Sequence, residues 1–152
     1  MEGMWNMTKE KQQALYDKYP LIFQQKDLSM SQTCMCWGIC TGDGWYDIID
    51  EICAGLEKLR YEYGVIVMAA QVKEKFGTLR FYTEYSPMLL KLTKDEYDKI
   101  YELAQDIVSA GEDKSCITCE QCGQPGTQNK GGWVRTSCAS CEEEYKKQRR
   151  PR

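Results

Sequence analysis

Apolar residues return at three- and four-residue steps through the middle of the chain. Ile48, Ile49, Ile52, Leu56, Leu59 and Tyr63 form one stripe, which predicts a helix over residues 45–63. Gly64 follows the last of them, where a helix end favours a residue that tolerates positive φ. A second stripe, Tyr97, Ile100, Ala104, Ile107 and Val108, predicts another long helix. Thr93 and Glu96 form a capping box at its start, and Gly111 is placed to end it. Between the two helices the period changes. Residues 65–72 are rich in β-branched side chains, and residues 78–83 alternate as Thr-Leu-Arg-Phe-Tyr-Thr. These read as a β-hairpin connected by residues 73–77. Leu79 and Phe81 are then expected to face the core, with Arg80 and Tyr82 on the opposite face. Residues 8–18 read as a weaker first helix that stops before Pro20. Residues 21–23 read as a short extended stretch and residues 24–33 as a polar loop.

The C-terminal third follows a different logic. Cys119, Cys122, Cys138 and Cys141 read C-x2-C, a gap of fifteen residues, then C-x2-C. This is the ligand frame of a four-thiolate zinc site, because two short knuckles can each present two sulfurs to a tetrahedral ion. Four thiolates fill the tetrahedron and leave no open position for water, so the expected Zn²⁺ is structural. Trp133 and Val134 are expected to pack inside the loop between the knuckles. Glu142, Glu143 and Glu144 open a final helix, and the tail from Lys146 is strongly basic. The fold class is therefore α+β: helices packed on a small antiparallel hairpin or sheet over residues 1–113, followed by a zinc ribbon and basic tail over residues 114–152.

Composition narrows the chemistry. The 152 residues are 42% apolar and 28% charged, with a net charge of −3. No global basic field points to nucleic acid, and no apolar run reaches membrane-spanning length. The first eleven residues lack the apolar core of an export signal, so a reducing cytoplasm is expected. Histidine is absent, which removes His general bases and His-based nucleophile pairs. Asp43, Asp47 and Glu51 would be the acid–base residues of any enzyme here, but the filled metal site and missing histidine argue for a non-enzyme. Five cysteines lie outside the zinc frame. Cys34, Cys36 and Cys40 follow no standard ligand spacing, and they, Cys53 and Cys116 read as free or core thiols.

Two stretches could bind a ligand. Gly42 and Gly44 flank Asp43 in a tight turn where Asp43 is expected to cap the helix, and Trp37, Trp45 and Tyr46 could form a stacking wall beside it. Lys73, Lys75 and Arg80 surround the hairpin with Phe76 and Tyr82 interleaved, a set suited to phosphate and base contacts.

Several stretches together carry a resemblance. They are Tyr-Pro-Leu-Ile-Phe at 19–23, Trp37-Gly38, Gly42-Asp43-Gly44-Trp45-Tyr46, Cys119-Glu120-Gln121-Cys122-Gly123 with Gly132-Trp133, and above all the block Gln71-Val72-Lys73-Glu74-Lys75-Phe76-Gly77-Thr78-Leu79-Arg80-Phe81-Tyr82. The set resembles a family of small bacteriophage and prophage proteins over residues 19–145. The resemblance implies a phage protein acting in the bacterial host cytoplasm; it carries over no catalytic residue. Small phage accessory proteins of this kind include ones that sequester nucleotide immune signals. The expected function is capture of a small anionic nucleotide by Trp45, Tyr46, Lys73, Lys75, Arg80 and Tyr82. The alternative is an interaction module whose ribbon and tail dock a host protein or, less readily, nucleic acid. Self-association is left open.

Overall fold

The computed structural model describes residues 6–148. Helix α1 (Lys9–Lys18) leads through turns and a 3₁₀ segment (Gln24–Asp27) to a second 3₁₀ turn (Met35–Trp37) and the two-residue strand β1 (Ile39–Cys40). A third 3₁₀ turn (Asp43–Trp45) feeds helix α2 (Tyr46–Tyr63). Strands β2 (Val67–Lys75) and β3 (Thr78–Tyr85) follow, then a 3₁₀ segment (Pro87–Lys91) and helix α3 (Lys94–Ser115). Short strands β4 (Thr127–Gln128) and β5 (Thr136–Ser137) and helix α4 (Ala139–Gln148) complete the chain. The architecture is α+β, and four C-terminal cysteines cluster in the ribbon.

The hairpin forms where the alternation placed it, but its strands run longer. Lys73 and Lys75 belong to β2 rather than to the connection, and the turn is the two residues Phe76 (φ 54°) and Gly77 (φ 81°). Positive φ at both positions is the signature of a tight hairpin turn whose twist matches the strands. An aromatic residue at Phe76 bears strain there. The sheet is mixed rather than purely antiparallel, because β1 pairs in parallel with β2, Ile39 opposite Val72 and Cys40 opposite Lys73. Residues 21–23 are not extended. They form turns, and the carbonyl of Ile22 accepts a bond from the Ala69 amide, closing β2 against them. The polar 24–33 segment is similarly tied down: buried Thr33 donates to Gln25 Oε1 at 2.7 Å and is within 3.3 Å of the Ala70 carbonyl.

Helices α2 and α3 cover the inner sheet face. Ile48, Ile49, Ile52, Leu56 and Leu59 from α2, Ile100, Ala104 and Val108 from α3, and Val72, Leu79 and Phe81 from the sheet are all buried in one core. Both predicted caps form: Gly64 takes φ 71°, and Thr93 and Glu96 exchange the two bonds of the capping box. Gly111, however, does not end α3, which continues to Ser115. A Cβ at Gly111 would lie 2.4 Å from Ile52 Cδ1. Close helix approach, not helix termination, explains this glycine. The helix also carries the chain past residue 113 without a break, so α3 itself links the sheet to the ribbon.

Edge strand β3 is protected by α3. Ser115 Oγ accepts from the Leu79 amide at 2.9 Å, and Glu112 Oε2 accepts from the Phe81 amide at 2.9 Å. These are the amides that an exposed sheet edge would otherwise offer to another strand.

Gly111→Ala is expected to destabilise the protein by about 1–3 kcal/mol through overpacking against Ile52, although Ala gains about 1 kcal/mol of helix propensity over Gly. Urea denaturation with an unchanged slope would measure it. A neutral or stabilising result would remove the close-packing account.

Candidate functional site

The first knuckle begins directly after α3. Thr118 bridges to Pro125, Cys119 N donates to the Gln124 carbonyl at 2.7 Å, and Gly123 N (φ 79°) donates to the Cys119 carbonyl at 2.9 Å. That tight turn sets Cys119 and Cys122 on one side. The second knuckle runs from β5 into α4, where Cys138 and Cys141 stand one helical turn apart. All four Sγ atoms lie within 4.8 Å of one another, and Cys122 and Cys138 are 3.6 Å apart. A tetrahedral ion with thiolates at about 2.3 Å has S–S edges of about 3.8 Å, so the cluster fits a metal ion. The Cys141 amide donates to Cys138 Sγ at 3.4 Å and pulls that thiol down to about 7, while burial pushes Cys141 up.

Cys116 stays out of the cluster, its thiol donating to the Glu112 carbonyl one turn back. Cys53 is buried in the core. Among the described residues, the four ribbon cysteines form the one group of three or more candidate ligands. Around them, Arg135 makes a two-pronged ion pair with Glu142 and lies 3.6 Å from the Tyr145 ring centre. Ser137 adds a bond to Glu142 at 2.8 Å.

The glycine-rich loop has a different role from the one expected of it. Gly44 N donates to the Glu120 carbonyl at 2.7 Å, Gly42 N donates to Glu120 Oε2 at 2.8 Å, and Trp45 Nε1 donates to the Thr118 carbonyl at 2.9 Å. A Cβ on Gly44 would come within 2.2 Å of the Cys119 carbonyl oxygen, and one on Gly42 within 2.4 Å of the Glu120 carbonyl oxygen. The loop is glycine-rich because the first knuckle lies against it. Trp45 is 0% exposed and cannot stack on a ligand; it is the core residue that anchors the ribbon. Asp43 does not cap α2. Its carboxylate accepts from the Thr8 amide at 2.8 Å, at the start of α1. Tyr46 is half-buried against the core, with Lys11 Nζ 4.8 Å from its ring.

The hairpin tip also meets the ribbon. Thr136 Oγ1 donates to the Gly77 carbonyl at 2.6 Å, and a Cβ at Gly77 would meet Val134 and the Arg135 backbone. Trp133 is not packed inside its loop as expected; it is 57% exposed. Of the basic tail, residues 149–152 lie outside the described residues.

The solvent face of the sheet gathers the remaining candidates. Lys73 stands directly opposite Arg80, Gln71 opposite Tyr82, and Lys75 opposite Thr78. Lys73 Nζ lies 5.9 Å from the Tyr82 ring centre. Among the described residues no carboxylate lies within ion-pair distance of Lys73, Lys75 or Arg80. The structure thus brings Lys73, Lys75, Arg80 and Tyr82 onto one strand pair and leaves Trp45 and Tyr46 in the packing beneath and beside it. No helix of the described residues is long and apolar enough to cross a membrane.

No family model, no curated protein and no solved structure matches the chain.

Two outcomes follow from the seam. Stripping metal with a thiol-reactive reagent and chelator is expected to unfold the ribbon and expose Trp45, giving a red-shifted emission that metal reverses. Unchanged emission after complete metal removal would show that the seam survives without the ion. The second outcome concerns Glu120, which is buried and whose carboxyl burial raises to about 7; the Gly42 amide opposes that shift and Glu74 adds to it. A carboxyl raised in the folded state binds its proton more tightly there than when unfolded. Its stability contribution is greatest below about 4.5 and declines as pH rises through about 7. Glu120→Gln keeps an acceptor for Gly42 and should gain stability relative to the parent between pH 6 and pH 8. A parent-minus-variant difference that is flat across that range, measured by urea titration, would contradict the assignment.

Proposed function

We propose that the protein is a non-enzymatic binding protein with a structural Zn²⁺ ion, and that its sheet face holds a small phosphate-bearing nucleotide. The four thiolates would saturate the ion, so its contribution is folding energy rather than reactivity. Zinc is favoured over other divalent ions by an all-sulfur tetrahedral donor set. The observation that carries the ligand reading is the Lys73–Arg80 cross-strand pair. Two cations directly opposite on a sheet repel one another, and among the described residues no carboxylate lies within ion-pair distance of either. A phosphate would relieve that repulsion and accept the planar fork of Arg80. Tyr82, exposed beside Lys73, offers a ring to the same ligand.

The resemblance to phage proteins makes bacterial immune signals, such as cyclic oligonucleotides and ADP-ribose derivatives, the first ligands to test, with capture in the host cytoplasm as the biological role. A second reading, docking of a host protein, draws on the exposed Phe76 and Trp133 that border a cavity of about 400 Å³ at the hairpin tip.

Thermal-shift titration of the zinc-loaded protein tests the first reading. Ligand at a hundred times its dissociation constant should add about 2.7 kcal/mol of stability. Reversing both charges (Lys73→Glu with Arg80→Glu) should abolish the shift without lowering the ligand-free melting temperature. An undiminished shift in the doubly reversed protein would place the ligand elsewhere.

A further inference from the structure

A cleft lies just before the strand that neighbours the cationic strip. Cys40 of β1 pairs with Lys73, so one row across the sheet reads Cys40, Lys73, Arg80. Immediately before β1, the 3₁₀ turn Met35–Trp37 and Gly38 face helix α1 across a cavity of about 410 Å³, lined among others by Lys9, Tyr16, Lys26 and Trp37. That size lies within the range of small-molecule sites. Trp37 is 59% exposed, and among the described residues its indole makes no hydrogen bond.

The exposure of Trp37 is built into the fold. Met35, two residues earlier, is fully buried and anchors the turn in the core. Gln12 anchors it from α1: its Oε1 accepts from the Ile39 amide at 3.0 Å and from the Tyr16 hydroxyl at 3.1 Å, and its Nε2 donates to the Met7 carbonyl at 2.6 Å. Gly38 takes φ 79°, and a Cβ there would lie 2.5 Å from Gln12 Oε1, so a side chain at this position would displace the amide that anchors the turn. A rigid turn therefore presents a large ring to solvent, beside two lysines. Lys26 is paired with Asp27 and lies 5.7 Å from the Tyr16 ring centre; Lys9 has no carboxylate partner among the described residues.

We infer that this cleft is the base subsite of the nucleotide site, with the heterocycle stacked on Trp37 and the phosphates continuing over Lys73 and Arg80. The inference rests on the proposed function and adds the base-stacking ring to it: Trp37 takes the heterocycle, and Tyr82 stays beside the phosphate strip. Stacking on an aromatic side chain is sequence-tolerant, so this subsite alone would accept more than one base.

Direct binding measurements on the zinc-loaded full chain separate the subsite from the strip. The base-bearing probes are cyclic di-AMP and ADP-ribose; inorganic pyrophosphate is the base-free comparison. Trp37→Ala should weaken a base-bearing probe about ten-fold or more and leave pyrophosphate unchanged. The Lys73→Glu, Arg80→Glu protein should lose both. Trp37→Phe should retain most of the affinity but lose most of the ligand-induced quenching of tryptophan emission. Equal affinity of Trp37→Ala and parent for a base-bearing probe that still requires Lys73 and Arg80 overturns the subsite alone. Absence of binding by every probe to the parent protein overturns both the subsite and the proposed function for these ligand classes.

Discussion

The contact on which the structure depends is the seam between the first cysteine knuckle and the loop that leads into α2. Three hydrogen bonds cross it, from Gly42, Gly44 and Trp45 to Glu120 and Thr118. Each is worth about 1 kcal/mol net, too little to fold a ribbon whose own buried surface is small. A structural zinc site supplies about 10–16 kcal/mol in short peptides at neutral pH. The ordering would therefore be asymmetric. A metal ion on the four cysteines would hold the knuckle, and the knuckle in turn contacts the loop, the buried indole of Trp45 and the start of α2. Removal of residues 116–152 would therefore disturb more than the ribbon. That deletion would expose Trp45 and leave the Gly42 and Gly44 amides without acceptors.

A second contact surface works in the same direction. Gly77 at the hairpin tip receives Thr136 from the ribbon, and α3 closes the β3 edge through Glu112 and Ser115 before running into the first knuckle. Sheet, helix and ribbon thus share polar contacts at three places. The inner face of the sheet, both of its edges and its tip are occupied by the chain itself: Gln12 and Met7 satisfy β1 just as α3 satisfies β3. The outer face at Lys73 and Arg80 is what remains.

Much of this was legible in the chain because the signals were local. The stripe from Ile48 to Tyr63, the Thr93–Glu96 box, the alternation through Leu79 and Phe81 and the cysteine spacing each depend on residues close in sequence. What misled were residues whose partners lie far away. Gly111 looks like a helix stop, and only the proximity of Ile52 shows that it is a contact. Gly42 and Gly44 look like a tight turn that lets Asp43 cap the helix, but they make room for Cys119 and Glu120, more than seventy residues on. Trp45 beside them looks like a ligand platform for the same reason. Its partner, the Thr118 carbonyl, has no sequence signature at all. Trp37 carries the opposite lesson: its Gly38 neighbour has positive φ, and the turn they share is pinned by Gln12, so a ring that composition alone could assign to core or surface is held outward.

The distribution of tryptophans then separates structure from function on physical grounds. Burying an indole is among the largest single apolar gains available to a fold, provided its N–H finds a partner. Trp45 meets both conditions and accounts for its own presence. Trp37 meets neither, yet the chain invests a buried methionine, a three-bond glutamine and a constrained glycine in holding it where water reaches it. Apolar burial does not account for that arrangement, since the ring stays 59% exposed. On the proposed function, a planar partner supplied from solution gives a reason for it. Lys73 and Arg80, with no carboxylate within ion-pair distance among the described residues, would then set the charge of that partner.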